Sequence, residues 1–493
     1  MTLHDLDRLG PALIVMVAAG GLLLADLLLR ERGRAWLPFG ALGGLAASAI
    51  WMVVLILRDQ EGVAFSGTYS LDAFSVFFTF LFIGAGGLVI VASADYVRRL
   101  RSQAEFWALL LLATSGMLLL AGARDLILIF IALELTSISQ YVLASFLKDD
   151  RSSEAGLKYI LLGAIASAVI LYGMAFLFGI AGTTKLVAAD GGPSIASVVA
   201  EGDPGLRAAL VAAIVLLAAG LSFKVALVPF QMWVPDVYQG AALPVAAFLS
   251  VGSKAAGFAV VLRIFYEGLG PDSFVGSDWS NVFAAVAAVS MTAGNLLALV
   301  QTDVRRLLGY SSIAQAGNIA VGVAAIAASG DGVSLGAGGV AFFLATYAFT
   351  NLGAFFAVLA ISQRVESFAI SDYAGMVRRA PLLAAVLGFC LVSLTGIPPT
   401  AGFVAKVYIF NAAVQSDLAW LVIVAVVNTA ISAYYYLRVV GTMYFSPAPA
   451  EGDITPGPWL AAALAVTAVG VLVLGIVPAP LIDAAQRAAS AFG

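Results

Sequence analysis

The chain has 493 residues, 62% hydrophobic and 11% charged, with a formal net charge of −4. That balance excludes a water-soluble domain of this length and fits a polytopic membrane protein, and so slight a charge, spread over loops, argues against nucleic acid as a partner. Cys390 is the single cysteine and His4 the single histidine, which excludes an internal disulfide, a cysteine-based metal cluster and an imidazole relay at membrane depth.

The first apolar run, 11–29, ends in Arg30. It is longer than a signal-peptide core and lacks an evident cleavage site, so it reads as a helix. It opens a series of fourteen runs long enough to span: 11–29, 36–57, 71–94, 105–122, 125–147, 156–180, 207–229, 242–266, 281–300, 304–327, 337–362, 381–413, 418–442 and 458–481. The runs are continuously apolar rather than alternating, which predicts an all-α membrane bundle and not a barrel. The segment 182–206, rich in Gly, Pro and Asp, reads as the longest external connection, and 363–380 as an irregular cytoplasmic loop.

Loop charges orient the bundle. Arg30, Arg32, Arg34, Arg98, Arg99, Arg101, Lys148, Arg151, Arg305, Arg306, Arg364, Arg378, Arg379 and Arg438 fall on one side. Arg8, Arg58, Arg124, Lys185, Arg207, Arg263 and Arg487 fall on the other, fourteen against seven. The richer side is expected to be cytoplasmic, with both termini outside.

Four of the six lysines lie within runs, whereas arginine dominates the loops. Lys224 and Lys254 flank the segment 225–253, in which Pro229 and Pro235 remove backbone donors and break regular helix. Lys406 follows a second interrupted stretch, GIPPTAGFVAK, with Gly396, Pro398, Pro399 and Gly402 ahead of it in run twelve. Cationic residues at bilayer depth beside broken helix mark ion pathways. Lysine suits such a role because its proton can be lost on burial, whereas arginine keeps its own. Lys158 lies near the start of run six, where it either joins the pathway or snorkels to the surface.

Glu134, in FIALELTSISQYVL, is the acid set deepest in an apolar run. Desolvation disfavours its charge and a nearby ammonium restores it. A pairing of Glu134 with Lys224 is therefore expected, either as a switchable proton-transfer pair or as a static buried ion pair. Further polar residues within runs are Asn295, Tyr310, Ser311, Ser312, Gln315, Asn318, Tyr347, Thr350, Asn351, Asn428, Ser432 and Tyr434. Singly they are interhelical hydrogen-bond formers; together they predict a hydrated line between runs seven and thirteen.

The two interrupted runs lie five runs apart, which suggests units over 105–266 and 281–442. An odd number of spans would invert the second unit relative to the first. The expected organisation is an N-terminal three-helix region (1–104), a first five-helix repeat (105–266), a second (267–442) and a C-terminal helix (443–493).

Five segments together, ALELTSISQYVL, SFKVALVPFQMWVPDVYQGA, LSVGSKAAGF, QTDVRRLLGYSSIAQAG and GIPPTAGFVAK, make the chain resemble the antiporter-like membrane subunits of respiratory complex I. Within that family the PDVYQGA wording is similar to the N-type branch rather than the M- and L-type branches, and the chain ends too soon after run fourteen for the lateral helix of the L type. The resemblance implies about fourteen transmembrane helices with two inverted five-helix repeats, broken at spans seven and twelve. It also implies a proton-translocating axis, whose positions here are Glu134, Lys224, Lys254 and Lys406. Gln231 stands where the family commonly has a histidine, which removes an imidazole near the cytoplasmic end of span seven.

By the same resemblance, the chain is expected to be a translocase subunit of an NADH-quinone oxidoreductase in a bacterial plasma membrane, beside K-like and M-like subunits. No cofactor or metal is expected in this chain; NAD, FMN, iron-sulfur clusters and quinone would belong to partner subunits. An Mrp-type monovalent cation/proton antiporter subunit is the alternative, and a scaffold held by static ion pairs is a third reading.

Overall fold

The structure is a computed structural model that describes residues 3–28, 31–188, 191–326, 332–448 and 453–492. A series of helices follows the apolar runs: α1 (Leu3–Leu28), α2 (Leu37–Leu57), α3 (Ala73–Val97), α4 (Gln103–Gly122), α5 (Leu126–Ala144), α6 (Asp150–Ala181) and the short α7 (Ile195–Glu201). Then come α8 (Arg207–Val225), α9 (Trp233–Gly240), α10 (Leu243–Phe248), α11 (Lys254–Val261), α12 (Gly276–Leu299), α13 (Val304–Ile326) and α14 (Gly332–Val365). The chain closes with α15 (Met376–Arg379), α16 (Pro381–Thr395), α17 (Ala401–Gln415), α18 (Ala419–Phe445), α19 (Pro458–Ile476) and the amphipathic α20 (Ala479–Ala489). A two-stranded hairpin, β1 (Gly62–Ala64) with β2 (Tyr69–Leu71), sits between α2 and α3, where the sequence pattern shows only a connection.

Helices prevail because apolar segments in lipid must satisfy their backbone within themselves. Short polar side chains set their starts. Asp72 and Ser75 form a reciprocal capping box on α3, Asp149 and Ser152 do the same on α6, and Asp125 accepts from the amides of Ile127 and Leu128 on α5. Twelve helices among the described residues are long and apolar enough to cross a membrane. The other two runs are those with the most interruption. α13 is diluted by its serines, glutamine and asparagine, and run twelve is divided into two helices of 15 residues each.

The two expected breaks are present and alike. α8 ends at Val225, Ala226 turns left-handed (φ 65°), and helix resumes at Trp233. α16 ends at Thr395, Gly396 turns left-handed (φ 90°), and helix resumes at Ala401. A cis peptide lies in each break, at Val228–Pro229 and at Pro398–Pro399. In the second break the chain folds back closely: the Gly402 amide donates to Ser393 Oγ at 3.1 Å, and a Cβ at Gly402 would collide with the Ser393 carbonyl oxygen. Gly402→Ala should therefore force α17 away from α16 at a cost of about 1–3 kcal/mol. A lowered thermal unfolding midpoint in detergent would register it.

Enclosure is uneven across the bundle. α5 turns Ile127, Ile131 and Ile138 outward, as a lipid-facing helix does. By contrast, the spans 243–268 and 335–365 are buried along most of their length. These two central spans, with α13, carry many of the buried polar groups. Two π-helical stretches, Leu249–Ser253 and Leu262–Gly268, flank α11, which re-aims the side chains around Lys254.

Candidate functional site

Lys224, Lys254 and Lys406 are all buried, at 3%, 1% and 4% exposure. Each owes its place to an irregularity in its helix. Lys224 occupies the last turn of α8, Lys254 opens α11 after a π-helical stretch, and Lys406 lies one turn into α17. Helix C-termini present carbonyl groups that lack intrahelical donors and carry partial negative charge. Lys406 Nζ donates to one of them, the Thr395 carbonyl at the end of α16, at 2.8 Å, and to Thr429 Oγ1 at 3.3 Å. Lys254 Nζ donates to Ser312 Oγ at 2.7 Å and to the Ser312 carbonyl, and it lies 5.3 Å from the centre of the Tyr347 ring.

The expected ion pair between Glu134 and Lys224 is not formed. Lys224 Nζ donates instead to Ser137 Oγ at 3.0 Å and Gln140 Oε1 at 3.1 Å, while Glu134 accepts from Ser167 Oγ. Glu134 and Ser137 stand three residues apart on α5, so the carboxylate and the amine are neighbours along one helix face. Glu134 is half-buried rather than the deepest acid, because α5 and α6 leave its side of the bundle partly open. None of the three lysines has a carboxylate at ion-pair distance among the described residues. Such an amine can lose or regain a proton without an ion pair breaking.

Hydrogen-bonded polar groups and their chain neighbours set the lysines along a line. Gln140 Oε1 accepts from Lys224, from Ser253 Oγ at 3.0 Å and from Tyr159 OH at 3.2 Å. Ser253 is the chain neighbour of Lys254. Ser312, the partner of Lys254, also accepts from Tyr347 OH at 3.1 Å. The adjoining Ser311 bonds Tyr436 OH, which accepts from Gln315 Nε2 at 3.4 Å. Gln315 Nε2 also donates to the Leu394 carbonyl at 2.8 Å, next to the Thr395 carbonyl that holds Lys406. A cavity of about 10 Å³ among Gln315, Tyr347, Thr350, Ser393 and Lys406 has room for about one water.

Several expectations need correction. Tyr434 points outward, and Tyr435 and Tyr436 point inward in its place. The spacing Asn428, Ser432, Tyr435 and Tyr436 follows the helical period, whereas 434 falls on the lipid side. Gln140 does not stand out from the sequence, although it lies six residues after Glu134 in the same polar stretch. Arg263, counted among the loop charges, is wholly buried. Its Nη2 donates to both carboxylate oxygens of Asp72 at 2.9 Å, its Nη1 to Glu267 at 2.9 Å, and its Nε to the Ala121 carbonyl at 3.1 Å. Arg124 also pairs with Glu267, which completes a charge-balanced group of four.

Lys158 belongs to a surface cluster rather than the buried line. It pairs with Asp236 at 2.8 Å and Glu154 at 2.7 Å, and Arg306 pairs with Asp236 at 2.7 Å. Burial raises the Asp236 carboxyl, but hydrogen bonds from Lys158 and Arg306 outweigh it and hold Asp236 below the usual carboxylate range. This cluster ties α9 to α6 and α13. Gln231 lies in the break ahead of α9, with its Oε1 buried and without a hydrogen-bond partner.

Known proteins share both the helices and the breaks that carry this line. A family model described as "NADH:quinone oxidoreductase/Mrp antiporter, TM" matches residues 123–432. NADH-quinone oxidoreductase subunit N of Dehalococcoides mccartyi is 41% identical over 98% of this chain and 99% of its own. A chain of respiratory complex I from Thermus thermophilus with bound aureothin superposes with a TM-score of 0.78 and 32% identity, covering 96% of this chain and 98% of that one. A chain of the Mrp complex from Dietzia shares the fold, with a TM-score of 0.82 and 23% identity over 99% of this chain and 97% of that one. Matched by that model from the start of α5 to the middle of α18, and by a subunit N over nearly its whole length, the chain belongs to the family of proton-antiporter-like membrane subunits shared by NADH:quinone oxidoreductases and Mrp antiporters.

Proposed function

We propose that the chain is a proton-translocating membrane subunit of an NADH-quinone oxidoreductase, without a redox centre of its own. Electron transfer elsewhere in the complex would alter the surroundings of Glu134 and Lys224, and protons would pass along Lys254 to Lys406. The observation that carries this reading is the buried polar line from Lys224 through Gln140, Ser312 and Gln315 to Lys406, with three amines free of ion pairs among the described residues. Its partners would be the neighbouring K-like and M-like membrane subunits, and its redox groups those of other subunits. Homologues at about 41% identity named subunit N favour this over an Mrp-type antiporter.

The finer architecture belongs to the same proposal. Counting α13 and the divided pair α16–α17 with the twelve long apolar helices gives fourteen spans. The matched breaks after Val225 and Thr395 support two five-helix repeats of opposite orientation, 105–266 and 267–442. The excess of basic loop residues on one side supports a cytoplasmic face there, with both termini outside.

Glu134→Gln tests the role of the carboxylate. The variant should assemble, because the amide oxygen of the new side chain can still accept from Ser167 Oγ, and it should lose most coupled proton transport. Loss of assembly instead would point to a scaffold.

A further inference from the structure

Away from the polar line, a cavity of about 560 Å³ opens beside α3, floored by α14 and roofed by α20. Its walls are apolar along most of their length: Val76, Phe80, Gly84 and Leu88 of α3 face Ala348 of α14 and Leu481 of α20. From Ala73 to Leu88 the helix rises about 22 Å (~1.5 Å per residue), more than the ~15 Å of one leaflet's hydrocarbon. The charged groups in its lining are Glu61, beside β1, and Arg487, on the polar face of α20. Neither enters an ion pair among the described residues, and both are exposed. The volume is that of a ligand pocket rather than a packing defect.

The lining thus combines an apolar trough long enough for an acyl chain with one cation, Arg487, and one anion, Glu61. We propose that this groove holds one phospholipid with a zwitterionic, amine-bearing headgroup, its phosphate on Arg487 and its ammonium on Glu61. Guanidinium matches phosphate geometry and charge, and a carboxylate matches an ammonium. An anionic headgroup would leave Glu61 opposed by like charge, so the pair selects the zwitterion. The bound lipid would join α3, α14 and α20 where no side chain fills the space between them.

Gly84 supplies a clean test, because a Cβ there meets nothing within 4 Å and points to open space. The assembled complex is purified in mild detergent and its retained phospholipid is measured by mass spectrometry, with deuterated phosphatidylethanolamine added back after delipidation. The parent should retain about one more phosphatidylethanolamine per chain than Gly84→Leu, and Arg487→Gln should weaken retention several-fold. Should Gly84→Leu fail to assemble, Arg487→Gln decides alone, since its side chain is exposed. Equal retention in parent and variants overturns the proposal. So does cross-linking of Gly84→Cys to a neighbouring polypeptide with no lipid retained, which would make the groove a protein interface.

Discussion

Replacing Lys224 by methionine is expected to leave the protein assembled and no less heat-resistant, while coupled proton transport falls at least about tenfold. Loss of a positioned proton-transfer group typically costs ~10²-fold or more in a chemical step, so tenfold is a conservative bound. The stability half of the expectation follows from the bonding. Lys224 is buried without a carboxylate partner among the described residues, so methionine removes a polar group whose burial is costly and leaves no opposite charge uncompensated. No acceptor is orphaned either. Gln140 Oε1 keeps Ser253 and Tyr159, and Ser137 Oγ keeps its own bond to the Leu133 carbonyl at 2.7 Å. Native electrophoresis and a melting curve read the first half, and proton uptake by inverted vesicles reads the second. Retained transport would remove Lys224 from the relay, and lost assembly would make it structural.

Arg263→Met should do the opposite. The variant is expected to lose about 3–5 kcal/mol of stability, because removing one member of a buried charge group leaves its partners uncompensated. Asp72 would lose its bidentate cation and the Ala121 carbonyl its donors, while Glu267 would keep only Arg124. Against the ~5–15 kcal/mol that holds a typical domain together, this is a large fraction. Little folded chain should accumulate in the membrane, and what does should melt early. Near-parental yield and midpoint would show that the four charges contribute no net stability. The contrast with Lys224 is the informative part: two cations enclosed to the same degree, one paired and one not, are expected to respond in opposite ways.

The same contrast explains what the sequence conveyed. Continuous apolar runs and two Pro/Gly interruptions foretold the helices and both breaks, because hydrophobicity and missing backbone donors are local properties. The three buried lysines were legible for the same reason, since a charge in a long apolar run has few structural explanations. Partner choice was not legible. Glu134 and Lys224 are both charges within apolar runs, yet the α5 helix offers Ser137 and Gln140 to the amine, and those take it. Arg263 looked like a loop charge because it closes an apolar run, and only the packing of α3, α4 and the end of span eight encloses it. Tyr436 lies two positions beyond the lipid-facing Tyr434, on the face that helical counting from Asn428 reaches.

The relay stands or falls most directly on the protons moved per electron pair by the complex reconstituted in sealed vesicles, compared between the parent and Lys406→Met. The far end of the polar line predicts a lower ratio with quinone reduction continuing, because Lys406 would be the last amine before release. An unchanged ratio in a fully assembled variant would contradict it.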